Sequence, residues 1–283
     1  MSYIITMQKF FDLSDDFEGI IRATLDNVEV IEKIPTGWTN YVFRVNVKCD
    51  DSYIFRFPRH EFWVKRMERE LIFSNHVRGH VKVQTPVYHQ KTVEVNGIKR
   101  TFSMHKMIPG NVLSSVMDKM TPEQMKVVAN DVADYMADIS SIKGNPFKAE
   151  TASEFLEGLA RVNGKGYGEG ALDRLAELDK EMVQTHGDLN PGNIIVDEDF
   201  RVVAVLDYAF VPRSTILVDL AWLIFRMPCD FYNIMLGAFE KKFNRKVDKA
   251  DLDYLVGLWG KVAVDYIDYM ARCHPDVVVP KQN

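Results

Sequence analysis

Three scarcities narrow what this chain can be. Of its 283 residues only three are cysteine, Cys49, Cys229 and Cys273. They are odd in number and far apart, which argues against both a disulfide framework and a zinc-ligand spacing. No segment approaches the roughly 18 uninterrupted apolar residues of a membrane span. The start, Met1-Ser2-Tyr3-Ile4-Ile5-Thr6, has no basic region ahead of a long apolar run, so a cytoplasmic chain with no membrane partner is expected. A concentrated basic footprint is missing as well, and no nucleic-acid partner is expected. Internal repeats and low-complexity segments are absent.

What is present is an ordinary globular composition, 47% hydrophobic and 27% charged, enough for one or two cores. The net charge of -5 is unevenly spread: residues 1–100 carry 15 Lys and Arg against 13 Asp and Glu, and the remainder carries 20 against 27. A mildly basic first part suits a polyphosphate and an acidic second part suits a cationic small molecule, although plain solubility explains the same pattern equally well.

The first hundred residues read as α+β. Asp15 to Leu25 has a helical apolar face in Ile20, Ile21 and Leu25, with Ser14 as its expected N-cap. Val28–Ile34, Tyr41–Lys48 and Ser52–Phe57 are rich in β-branched and aromatic residues and are separated by turn residues, as antiparallel strands require. A charged helix is expected over Glu61–Val77, with Val64, Met67, Leu71 and Phe73 on its sheet-facing side. Val87–Val95 and Ile98–Met104, joined by Asn96-Gly97, form the clearest hairpin signal. The order is βββαββ.

Met107-Ile108-Pro109-Gly110 is the expected link between domains, which places a first lobe at 1–106 and a second at 107–283. The second lobe is mostly helical. Thr121 followed by Pro122, Glu123 and Gln124 starts a long helix, and further helices are expected over Ala152–Val162, Ala171–Glu181, Ile216–Arg226, Phe231–Phe243 and Lys249–Arg272. The glycine-rich stretch Gly164–Gly170 has no strand before it and reads as a connector rather than a phosphate loop. Ile194–Val196 and Val202–Leu206 flank the turn Asp197-Glu198-Asp199.

The chemistry concentrates in His186-Gly187-Asp188-Leu189-Asn190-Pro191-Gly192-Asn193, followed by Asp207 at the end of an apolar strand. Phosphoryl transfer needs an oriented nucleophile, a metal on the phosphates and donors for developing charge. Asp188 suits a hydroxyl that is to be oriented and relieved of its proton. Asn193 supplies a neutral amide oxygen and Asp207 a carboxylate, a donor pair that suits Mg²⁺ on a nucleoside triphosphate. An ordinary turn would use the same residue types to satisfy backbone donors. It would not require the second aspartate after a hairpin. A metal-hydrolase reading of His186 and Asp188 lacks a nearby second histidine cluster, and His186 is expected to organise the loop.

These residues, together with Leu206-Asp207-Tyr208 and Val218-Asp219-Leu220-Ala221-Trp222, resemble the aminoglycoside phosphotransferase and choline kinase superfamily, which has a protein-kinase-like fold. The resemblance extends over essentially the whole chain. It implies a bilobal α+β protein, with a small antiparallel-sheet lobe for the nucleotide and a larger helical lobe for catalysis and the acceptor. By resemblance Asp188 is the catalytic aspartate, Asn193 and Asp207 are the magnesium ligands, and Asp219 braces the loop. Gly187 stands where protein kinases carry arginine, which favours a small-molecule acceptor. Gly37, Thr39 and Asn40 lie where the family covers the phosphates. Arg56 occupies the place of the usual phosphate-binding lysine, and Glu70 that of its helix partner, with Glu68 as the competing choice. His105 and Met107 fall in the segment that contacts the nucleobase through its backbone, leaving ATP and GTP both open. Trp222, Asp230, Tyr232, Asp265, Tyr266 and Asp268 lie where relatives build acceptor pockets. The implied activity is transfer of the γ-phosphate of ATP or GTP to a small-molecule hydroxyl, with an aminoglycoside-like amino sugar leading. A choline, ethanolamine or other metabolite kinase and an inactive nucleotide-binding regulator are the alternatives.

Overall fold

The computed structural model describes residues 10–35, 39–49, 51–144, 146, 151–163, 167, 170–178, 182–208, 210 and 213–273. The chain divides into two compact units, one of Met1–Leu71, Val87–Met107 and Tyr269–Asn283, the other of Ile72–Pro86 and Ile108–Asp268. Among the described residues no helix is long and apolar enough to cross a membrane.

The first unit contains, in chain order, α1 (Phe17–Thr24), β1 (Val28–Ile34), β2 (Asn40–Val47), β3 (Ser52–Pro58), the start of α2 (Glu61–Val77), β4 (His89–Val95) and β5 (Ile98–Lys106). The expected βββαββ order is thus present, and α2 has the limits that its apolar spacing and the preceding Pro58 imply. The strands form one antiparallel sheet in the order β1-β2-β3-β5-β4. Asn96 and Gly97 both have positive φ, 52° and 76°, the backbone that a two-residue hairpin turn between right-twisted strands demands. Alternate residues of the central strands, among them Phe43, Val45, Phe55, Phe57 and Phe102, point to one face and bury it together with Phe11 and Ile21. Phe17, Ile20 and Leu25 of the α1 region pack against this cluster.

The N-cap of α1 differs from expectation. Asp16 accepts from Gly19 N at 2.8 Å, whereas Ser14 donates its own N–H to Asp12 Oδ1. A carboxylate beside the partly positive helix N-terminus is favoured by charge as well as by hydrogen bonding. Just before this helix, Asp15 forms a buried ion pair with Arg100 of β5, their side chains 2% and 5% exposed.

The second unit contains the end of α2, β6 (Asn111–Val112), α3 (Leu113–Val116), α4 (Pro122–Ser140), α5 (Ala152–Asn163), α6 (Ala171–Leu178), β7 (Val183–Gln184), β8 (Ile194–Val196), β9 (Val202–Val205), β10 (Arg213–Ser214), α7 (Leu217–Arg226), α8 (Cys229–Phe243) and most of α9 (Lys249–Cys273). The helix starting at Thr121 has a complete capping box with Gln124. Most of the Gly164–Gly170 connector and the expected helical residues Asp179–Glu181 lie outside the described residues.

A small sheet, β6-β8-β9, carries the loop of interest. Asp131 of α4 holds its hairpin from outside, accepting from Arg201 Nε at 2.7 Å, Arg201 Nη2 at 2.8 Å and Val202 N at 3.0 Å. Gln84 exchanges backbone bonds with β9, its N–H donating to Val203 O and its carbonyl accepting from Val205 N. The hairpin is therefore gripped on two sides, and its strands bury Ile194, Val196, Ala204 and Val205 completely or nearly so.

The Asp15–Arg100 pair yields a stability prediction. Asp15→Ala leaves a guanidinium buried without its counter-charge and should cost about 3–5 kcal/mol in urea unfolding. The double replacement Asp15→Leu with Arg100→Met should recover most of that loss.

Candidate active site

The loop from His186 to Asn193 is shaped by its own side chains. Gly187 has φ +81°, a conformation costly for a residue with a Cβ, and it lets the chain reverse just before Asp188. Leu189 is fully buried and anchors the loop. Pro191–Asn193 makes one 3₁₀ turn, closed by Asn190 Oδ1 accepting from Gly192 N at 2.8 Å. That turn folds Asn193 back on Asp188, so that its Nδ2 donates to Asp188 O at 2.9 Å and to Asp188 Oδ2 at 3.0 Å.

His186 is the hub of the loop and takes the organising role expected of it. Its Nε2–H donates to Leu206 O at 2.9 Å, and its Nδ1 accepts from Asp188 N at 3.2 Å. It is fully buried, its ring close to those of Tyr208 and Tyr135. Burial drives its pKa down to about 4, and a neutral imidazole with both nitrogens engaged is not a proton shuttle at neutral pH. The bond to Leu206 ties the loop to the residue before Asp207. A second tie runs from Leu206 N to Asn193 O, 2.8 Å. Asp207 itself adopts φ +64°.

Asp219, in the first turn of α7, is fully buried and accepts from His186 N and Gly187 N, each at 2.7 Å. Its carboxylate is thus spent on the loop. The N-cap position of α7 belongs to Ile216 and has no side-chain cap.

The electrostatics centre on Asp188. Burial and then the nearby charge of Asp207 push its carboxyl up to about 7, opposed by hydrogen bonds from Trp222 and Asn190 and by the positive Arg226. Trp222 Nε1 lies 2.5 Å from Oδ1, and Asn190 Nδ2 lies 2.9 Å from the same oxygen. A carboxyl whose proton affinity is raised by burial and by a neighbouring negative charge is a centre that a cation would relieve. Among the described residues no group of three or more His, Cys, Asp or Glu side chains forms a metal cage. The oxygens of a kind suited to a hard cation are those of the Asn193 amide and the Asp207 carboxylate. They fit Mg²⁺, which uses few protein ligands and completes its shell with phosphate and water.

In the first unit, Arg56 Nη1 donates to Glu70 Oε1 at 2.7 Å and Oε2 at 2.8 Å, with side chains 11% and 1% exposed. Glu68, the competing choice, is exposed. Tyr88 stands beside this pair, with the Arg56 guanidinium 5.5 Å from its ring centre and the buried His105 ring edge-on at 5.1 Å. Asn40 donates to Thr39 Oγ1 at 2.7 Å. Gly37 lies outside the described residues. The Met107 N–H donates to Ser52 O at 2.7 Å, continuing the sheet ladder.

Of the expected acceptor-pocket residues, Trp222 is drawn onto Asp188. Asp230 and Asp268 are exposed, Tyr232 is half-buried, and Asp265 is buried, its charge adding to burial in raising the Tyr167 hydroxyl. The side chain of Tyr266 lies outside the described residues. Two contributors escaped the sequence reading: Asn190, taken there for a turn residue, and Arg226. A signal existed for Arg226. Asp219, Trp222 and Arg226 are spaced i, i+3, i+7 and so share one helix face.

The model of the phosphotransferase enzyme family matches residues 30–246. The chain belongs to that family. Among solved structures it is similar to the GDP and kanamycin complex of APH(2")-IIia, at 17% identity and a TM-score of 0.68, covering 92% of this chain and 94% of that one. It is similar also to the streptomycin-ATP-APH(2")-IIa ternary complex, at 13% identity and a TM-score of 0.60, covering 95% and 100%. Macrolide 2'-phosphotransferase MphH from Brachybacterium faecium matches at 14% identity and a TM-score of 0.59, covering 95% and 99%. The fold is therefore kinase-like. No curated protein sequence matches the chain. The family makes it a phosphotransferase.

Asp219 supports a prediction about pH. Burial raises its carboxyl to about 7 against the two backbone donors that lower it, compared with about 4 in an unfolded chain. The folded state then holds a proton that the unfolded state releases. Stability from this group is complete below about pH 4 and is lost as pH rises through 7. Asp219→Asn should flatten part of that slope in urea unfolding and lower stability by roughly 1–3 kcal/mol at acid pH, because one backbone N–H loses its acceptor.

Proposed function

We propose that this chain transfers the γ-phosphoryl group of ATP or GTP to a hydroxyl of a small molecule, with Asp188 as its catalytic residue. The observation that carries the reading is the single loop and hairpin that hold Asp188, Asn193 and Asp207 together by ties through Leu206. In the reaction the acceptor oxygen forms a bond to the γ-phosphorus as the bridging oxygen–phosphorus bond breaks. The diphosphate leaves, and the hydroxyl proton passes to the Asp188 carboxylate and then to solvent. The raised proton affinity of Asp188 suits a base that takes the proton late, when the oxygen has become acidic.

Asn193 and Asp207 would hold Mg²⁺, which supplies charge neutralisation on the transferring phosphates when bound. The first unit serves as the nucleotide lobe. Arg56, fixed by Glu70, contributes a permanent positive charge with a planar set of donors for phosphate oxygens, in place of lysine. Thr39 and Asn40 stand at the start of β2 in the phosphate-covering region, and His105 and Met107 mark the nucleobase segment. There the Met107 carbonyl, rather than its N–H, remains for contact.

For the acceptor, two readings have separate support. The acidic second part of the chain and the kanamycin and streptomycin of the similar structures favour an aminoglycoside-like amino sugar. Arg226, positive and close enough to act on Asp188, favours a metabolite without a cationic group beside its reacting hydroxyl, since like charges there would repel.

A radiolabelled transfer screen with ATP and GTP over aminoglycosides, macrolides, amino alcohols and sugars should yield a phosphorylated product. Asp188→Asn should lower turnover at least about a hundredfold while leaving nucleotide affinity nearly unchanged. Asp207→Ala should abolish transfer and raise the magnesium concentration needed for nucleotide binding. Full turnover in Asp188→Asn defeats the assignment, and tight nucleotide binding with no product from any acceptor would instead identify a regulatory protein.

A further inference from the structure

We infer that Trp222 is a positioning residue for phosphoryl transfer, its indole N–H fixing which oxygen of Asp188 meets the acceptor hydroxyl. The inference rests on the reading of Asp188 as the group that receives the hydroxyl proton. It starts from a count of donors. Oδ1 of Asp188 accepts from Trp222 Nε1 and from Asn190 Nδ2, while among the described residues Oδ2 accepts from Asn193 Nδ2 alone. A carboxylate oxygen offers two lone pairs. Oδ1 is therefore filled by the protein and Oδ2 retains one site, which assigns the hydroxyl to Oδ2.

The indole is well built for this task. It is a donor only, so its bond to a carboxylate has one sense and cannot invert. Its ring is held from several directions, stacked near-parallel on Phe225 with centroids 5.7 Å apart, tilted against Trp259 at 5.0 Å and lying 5.1 Å from the guanidinium carbon of Arg226. At 7% exposure it has no room to turn away. Trp222 also lies one helical turn beyond Asp219, so that a single face of α7 reaches the loop twice. Asp219 holds the backbone at His186 and Gly187, and Trp222 holds the side chain at Asp188. Without the indole, Oδ1 would keep only Asn190. The carboxylate could then rotate about its Cβ–Cγ bond and present either oxygen. Packing alone would require an aromatic ring at this position but not an N–H aimed at a carboxylate.

Trp222→Phe separates the two roles, since it keeps a ring against Phe225, Trp259 and Arg226 and removes the donor. In the full chain it should lower kcat about ten- to a hundredfold, the scale of misplacing a reacting group, with an unchanged KM for the nucleotide and little change in melting temperature. A readout independent of turnover is the indole region of the proton–nitrogen NMR spectrum, to which Trp38, Trp63, Trp222 and Trp259 contribute. The resonance lost in Trp222→Phe should lie downfield in the wild-type chain and move upfield in Asp188→Asn. A wild-type kcat in Trp222→Phe, a kcat loss matched by a rise in the nucleotide KM, or an indole resonance indifferent to Asp188→Asn would each overturn the positioning role. An active wild-type chain with any of those results leaves the phosphotransfer reading standing. A wild-type chain silent towards every acceptor overturns both.

Discussion

A carboxylate with no access to water, Asp219, holds two consecutive backbone N–H groups, and the geometry of the site follows from that grip. The donors at His186 and Gly187 are buried and would be costly to leave unpaired. Satisfying them from one side chain fixes the orientation of the peptide planes on either side of Gly187. The direction in which Asp188 leaves the chain follows. His186, oriented by the same backbone, bonds across to Leu206 and so places Asp207. A pairing made in the core thus sets the separation of two partly enclosed carboxylates.

That separation is unfavourable without a counter-charge. Burial and the charge of Asp207 push the Asp188 carboxyl up to about 7, and the bonds from Trp222 and Asn190 with the positive Arg226 offset only part of that penalty. Such an arrangement persists where the surrounding structure over-determines it, as the hairpin clamps at Asp131 and Gln84 and the Tyr135 and Tyr208 rings beside His186 do here. A divalent cation held at Asn193 and Asp207, as proposed, would offset that repulsion. Stability and chemistry pull in opposite directions at this centre, as they do where charges are gathered for a ligand.

Local features were readable from the chain wherever the determining interaction is short in sequence. The capping box from Thr121 to Gln124, the Asn96-Gly97 hairpin and the limits of α2 depend on residues a few positions apart, and each is found as the pattern implied. Where two neighbouring residues could do the same work, spacing was not enough: Asp16 rather than Ser14 caps α1, because a charge beside the helix terminus outweighs a neutral hydroxyl. Met107 shows another boundary. Its N–H is engaged because β3 starts early enough to reach it, a matter of strand register invisible in Met107 itself.

The sequence by itself determined the chemical parts: an aspartate, an asparagine five residues on and a second aspartate past a hairpin, in a chain with an α+β first half and a helical second half. Their order and spacing are written in local codes of turn, strand and polarity. Only the tertiary structure decided what surrounds them. The Glu70 that pairs with Arg56 lies 14 residues from it, and Trp222 lies 34 residues from the Asp188 it holds. Contacts at such distances are set by how helices pack against a buried core, and core packing selects for shape and burial in ways that leave no spacing to read.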